Sequence, residues 1–245
     1  MGNCCNGGVD SAQPISKNEP KITETLPREE QIIIENEKKL EFSKLNSKDI
    51  IKSLKSEGSQ NCLSMPQLKR AFFDLQLSET DLSSPDSAFY KILAKLKNDK
   101  KLYEIRKLVL LALLVGKGAP QDKAVWLFKQ YDLDASGVID AEEVETMLNE
   151  MIDLAVNILP LSARGDEEGC LTKEEEDTYK SMLLAGQQSM VQEVMKLLLN
   201  QNEIGETEFV AKICDPSQQL NKLLWSYGVR LLLKNYGNHN NIESH

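Results

Sequence analysis

Twelve residues, Asp132 to Glu143, read DLDASGVIDAEE and set out oxygen-bearing groups at intervals that suit a hard divalent cation. Calcium takes about six to eight oxygens, which a helix-loop-helix supplies from loop positions 1, 3, 5, 7, 9 and 12. Those positions are Asp132, Asp134, Ser136, the backbone carbonyl of Val138, Asp140 and Glu143. Position 6 must turn with a positive φ, which Gly137 reaches without a Cβ clash. Ile139, at position 8, is expected to point inward and pair with a neighbouring loop. A merely solvated acidic face has no reason to put Gly, Ile and Glu at these offsets.

The flanks are helical in pattern. Ala124 to Tyr131 is an apolar, aromatic entering helix, and Val144 to Ile152 repeats apolar residues at helical spacing. A single helix-loop-helix cannot bury its own apolar face, so further copies are expected. Ser56 to Gln67 fits the template with Leu63 at position 8, but Ser56, Gly58 and Gln60 stand where acids belong and Gln67 replaces the last Glu. A second degenerate copy runs from about Lys95 through Leu102, with Arg106 at position 12, where a cation would repel calcium. A third, Leu199 to Phe209, keeps Ile204 and Glu208 but has leucines upstream, and is read as the structural mate of the good loop.

Glycine and proline are sparse inside the segments and β-branched alternation is weak, which predicts an all-α protein. Pro27 to Phe42 reads as a charged helix with an apolar stripe. Leu108 to Val115 is a continuous apolar run of eight residues. That is far short of the about 20 a membrane span needs, so a buried helix is expected. Leu161 to Asp177 is an acidic stretch without loop spacing, read as a solvated linker between paired hands in preference to a second cation site, with Thr172 as N-cap and Glu175 three residues on. Asp215-Pro216 should end a helix. The stripe beyond it, with Leu220, Leu223, Leu224, Trp225, Val229 and Leu231 to Leu233, is either ordinary core or a helix lying in a groove that would otherwise receive a target helix.

The net charge of −9 argues against nucleic acid as a partner, since phosphate neutralisation needs clustered Lys and Arg. Five cysteines fit no disulfide scaffold, which suits a reducing cytosol. The two histidines, His239 and His245, lie in a polar tail, and no nucleophile elbow, phosphate loop or zinc spacing is visible. An enzyme is not expected.

The chain starts MGNCCNGG, so loss of Met1 would expose Gly2 as an acceptor for myristate, although Asn6 stands where Ser or Thr is usual. One myristoyl chain binds membranes only marginally. Cys4 and Cys5 offer S-palmitoylation as the second signal. The first 27 residues read as a disordered tail, acylated or not.

With one well-formed loop, three degenerate ones and an acylatable start, the chain resembles the EF-hand superfamily, within it the calcineurin B-like and neuronal calcium sensor group. Gln121 to Val144 is the stretch most similar to a third hand of that group. The resemblance implies two lobes of paired hands, here 28–118 and 119–214, followed by an extra C-terminal helix and tail at 215–245. It also implies calcium-driven opening of an apolar groove for a helical protein target. The expectation is a calcium sensor or adaptor on the cytoplasmic face of a membrane, or in the cytosol if it is not acylated. The alternative is a constitutive structural or regulatory subunit in which calcium only stabilises the fold.

Overall fold

Capping side chains start several helices. Asn46 accepts from the Lys48 amide, Ser64 and Gln67 cap each other across one turn, and Asp140 with Glu143 and Thr172 with Glu175 do the same. Each supplies acceptors for amides that a helix N-terminus leaves without partners. The computed structural model describes residues 26–58, 61–78 and 82–240. Most of the expected tail, with Gly2, Cys4 and Cys5, and also His245 lie outside the described residues.

The helices are α1 (Arg28–Glu37), α2 (Ser47–Glu57), α3 (Met65–Asp74), α4 (Ala88–Lys95), α5 (Ile105–Val115), α6 (Pro120–Tyr131), α7 (Ala141–Ile152), α8 (Lys173–Leu184), α9 (Gln187–Leu198), α10 (Glu206–Cys214) and α11 (Ser226–Asn240). A π-helical segment, Asp153–Ile158, extends α7, and 3₁₀ turns span Glu41–Lys44, Leu159–Ser162 and Leu220–Leu224. The only strands among the described residues form two short ladders, so the chain is all-α. Strand β1 (Cys62–Leu63) pairs antiparallel with β2 (Tyr103–Glu104), and β3 (Val138–Asp140) with β4 (Glu203–Gly205).

Each ladder joins two helix-connecting loops at their apolar residues, Leu63 opposite Tyr103 and Ile139 opposite Ile204. Two residues before each of these the backbone is left-handed, at Asn61 (φ 60°), Lys101 (60°), Gly137 (85°) and Asn202 (76°). One backbone pattern therefore recurs four times although only one copy carries glycine. The second loop differs from expectation by one residue. Its buried ladder residue is Tyr103, not Leu102, which moves position 12 from Arg106 to Lys107. A one-residue slip turns every side chain over. Tyr103 wins the inward place by filling the core with a full ring, while Leu102 is left half-buried.

The charged helix expected over Pro27–Phe42 stops at Glu37. Leu40 is extended, which brings Phe42 into contact with Phe72 and Phe89 at ring separations of 5.5 and 5.2 Å. In the other half Phe128 of α6 meets Phe209 of α10 edge-on at 5.6 Å. Leu108 to Leu114 are all buried, as the apolar run predicts, and no helix among the described residues is long and apolar enough to cross a membrane.

Both halves share one continuous cluster of buried side chains from Ile32 to Leu233. The C-terminal stripe belongs to it: Leu220, Leu223, Leu224, Trp225, Val229, Leu232 and Leu233 are buried, and α11 packs on α7, α8 and α9. The approach of α9 to α11 is close enough that a Cβ at Gly186 would stand 2.1 Å from the Leu233 carbonyl oxygen. Gly186→Ala is therefore expected to cost about 1–3 kcal/mol by overpacking, read as a lowered denaturant midpoint with unchanged slope.

Candidate calcium site

The ladder of β3 and β4 and the start of α7 fix the backbone of Asp132 to Glu143. Gly137 has the expected positive φ, with open space where a Cβ would go, and Ala135 is also left-handed at φ 56°. Ile139 is buried and paired with Ile204, as its position in the loop predicts. The ligand positions of the loop remain at the surface or half-buried.

Their oxygens are held by the loop's own donors. Asp132 accepts from the Gly137 amide at 3.2 Å, and Asp134 from the Ser136 amide at 3.0 Å. The hydroxyl and amide of Ser136 hold the Asp134 carboxyl below the ordinary carboxylate range. Ser136 Oγ donates to the Val138 carbonyl at 2.9 Å. Glu143 spans the loop: one oxygen accepts from the Leu133 amide at 3.0 Å, the other from the Asp140 amide at 3.1 Å. Asp140 in turn accepts from the Glu143 amide at 2.9 Å.

This donor set fits a hard cation. All six groups are oxygens, four of them carboxylates in one twelve-residue loop. Asp140 also sits directly opposite Glu203 on the ladder, where like charges destabilise pairing. As they stand, no three Asp, Glu, His or Cys side chains among the described residues converge closely enough to clasp an ion. The carboxylates are turned onto amides, and to ligate they must be drawn together around the ion.

The other three loops hold the matching positions without a full set of acids. In the first, Gln67 donates to the Glu57 carbonyl at 2.8 Å and accepts from the Ser64 amide at 2.8 Å, bracing the same loop positions that Glu143 bridges. In the second, Lys107 pairs with Glu104 at 3.1 Å. Arg106, expected at position 12 there, instead reaches Glu150 of α7 at 2.6 Å. Glu150 also accepts from the Tyr131 hydroxyl at 2.7 Å, and burial together with that carboxylate pushes the Tyr131 pKa far up.

Sequence reasoning missed a buried ionic cluster beside the loop's exit path. Arg230 of α11 is fully buried and makes paired contacts to Glu30 (2.8 Å) and Glu37 (2.8 Å) of α1, and donates to the Ala155 carbonyl at 3.0 Å in the π-helical segment. Tyr179 donates to Glu30 at 2.5 Å and Ser226 to Glu37 at 2.6 Å. Burial would pull the Arg230 pKa down, but Glu30 and Glu37 more than offset it and keep the guanidinium charged. A lone arginine within GVRLLLK was the available signal, and Glu30 and Glu37 stand seven apart, two helical turns, on one face.

No protein-family model matches the chain, and no curated protein is similar enough in sequence to be matched.

Proposed function

We propose that the chain is an EF-hand protein of two paired-hand lobes, with one calcium ion held by Asp132, Asp134, Ser136, the Val138 carbonyl, Asp140 and Glu143. The observation that carries this reading is the loop itself: an all-oxygen donor set, a left-handed Gly137, and an Ile139 paired with Ile204. A bound calcium ion supplies the positive charge that four crowded carboxylates lack. Glu143 opens the first turn of α7, so its movement toward the ion draws on the helix whose buried face carries Met147, Leu148 and Met151. In sensor hands such a pull opens an apolar groove for a target helix. Acylation at Gly2, with Cys4 or Cys5 as the second signal, holds the protein on the cytoplasmic face of a membrane.

A second reading is favoured by one observation. Met147, Leu148 and Met151 are already buried, and α11 packs on their helix. On that reading calcium stabilises a closed regulatory subunit and opens nothing.

Calcium titration of the acylated full chain, with neutral phospholipid vesicles and an apolar fluorescent dye present, tests both. About one ion per chain and vesicle binding lost in Gly2→Ala are expected under either. Calcium-dependent dye fluorescence selects the sensor, whereas a raised melting temperature without dye binding selects the subunit. No calcium binding at all overturns the proposal.

A further inference from the structure

The register of the second ladder sets the fourth loop beside the third, residue for residue. Ile204 lies opposite Ile139, so Leu198, Asn200 and Glu208 take the places of Leu133, Ala135 and Glu143. Leu197 and Leu199 stand at positions 1 and 3, where a calcium loop needs acids. The loop nevertheless keeps the left-handed turn at Asn202 and a full three-residue ladder.

A positive charge is already there. Lys212, in the last turn of α10, directs its ammonium back into the loop. It donates to the Leu198 carbonyl at 2.9 Å and to Asn200 Oδ1 at 3.2 Å, and lies 3.2 Å from Glu208 Oε1. The Asn200 amide nitrogen donates to the same Glu208 oxygen, so Asn200 ties the lysine to the carboxylate from both ends of its amide. A backbone carbonyl, an amide oxygen and a carboxylate are the kinds of oxygen a cation loop offers, and they match the three donors of an ammonium. An ordinary surface pair looks different: Lys196 and Glu193 are 3.6 Å apart, and Lys196 is 75% exposed against 21% for Lys212.

We propose that Lys212 is the resident cation of the fourth loop, a tethered ammonium that holds β4 in place with no metal ion. This rests on the reading of Asp132–Glu143 as the calcium site and adds how that site works with one ion. The partner strand is set before calcium arrives, so none of the binding energy of the ion at the third loop is spent ordering the fourth.

The test is Lys212→Met in the full chain, with Lys196→Met as the control for lost charge. In chelator, exchange of the β3 and β4 ladder amides should speed at least tenfold in Lys212→Met and stay unchanged in Lys196→Met. Calcium affinity at the third loop should then fall about five- to tenfold, the ion now having to order both strands. If Lys212→Met does not fold, Glu208→Gln, which keeps the oxygen and drops the charge, should give a smaller acceleration in the same amides. Ladder exchange equal to wild type in whichever variant folds overturns the proposal. Exchange in chelator is independent of calcium, so faster ladder exchange in Lys212→Met alongside wild-type protein that binds no calcium would defeat the calcium reading and leave the tethered cation standing.

Discussion

Replacing Arg230 by methionine is expected to destabilise the protein by about 3–5 kcal/mol, because it leaves buried carboxylates without their counter-charge. Glu30 and Glu37 are 4% and 6% exposed and accept from Tyr179 and Ser226 besides the guanidinium. For a chain of this size that loss corresponds to a fall in melting temperature of about 6–10 °C. The cluster holds two carboxylates against one guanidinium, so the single variants differ. Glu37→Gln keeps an acceptor for Ser226, leaves a one-to-one pair with Glu30, and should cost under about 2 kcal/mol. Replacing the three ionic groups together by Leu, Leu and Met should recover much of the loss, since a buried ionic cluster often gains little over apolar packing of similar volume. An Arg230→Met protein as stable as wild type by denaturant titration would mean that the cluster is hydrated and not buried.

Where the damage appears is as informative as its size. Helix α1 has ten residues, too short to persist in water on its own, and Arg230 is its ionic tie to α11. The same guanidinium holds the Ala155 carbonyl in the π-helical segment that continues α7. One side chain thus connects the helix leaving the candidate calcium loop with the helix that follows the N-terminal segment. Loss of amide protection in α1 ahead of global unfolding is the expected signature of Arg230→Met.

The candidate loop was legible because its demands are local. An oxygen ligand at every second residue from Asp132 to Asp140, a glycine at the left-handed turn and an apolar residue at position 8 all follow from chain geometry, and Gly137 and Ile139 sit as those rules require. The degenerate loops were legible only in outline. Leu63 and Ile204 could be placed by apolar pattern, but Leu102 and Tyr103 are both apolar neighbours, and only packing against the core separates them. Lys101 adopts a left-handed backbone that its residue type disfavours by about 1–2 kcal/mol, so no propensity marks the turn. The two tethered cations were invisible for another reason. Lys212 acts across 14 residues on Leu198, and Arg230 across 200 on Glu30; partners that distant are brought together by the fold, and local spacing does not reveal them. The C-terminal stripe reads in sequence as core or as a groove-filling helix, and the structure shows it buried in the common core against α7.

Glu143→Gln is expected to weaken calcium binding about a hundredfold, close to 3 kcal/mol at about 1.4 kcal/mol per tenfold, while leaving the calcium-free fold intact. The first half of that statement follows from charge and denticity. The loop loses one of four carboxylates, and the one that offers two oxygens to the ion. The second half follows from a comparison within the chain. Gln67 occupies the matching place in the first loop, donates to the Glu57 carbonyl and accepts from the Ser64 amide, and closes that loop without an ion. A glutamine at 143 keeps an acceptor for the Asp140 amide and forgoes the Leu133 amide, an exposed bond worth about 1 kcal/mol or less. Calorimetric titration should therefore show the affinity falling while the melting temperature in chelator moves by only a few degrees. An unchanged affinity would show that the ion is held elsewhere. A collapse of the calcium-free protein would show instead that Glu143 is a structural strut whose bond to the Leu133 amide the loop cannot lose.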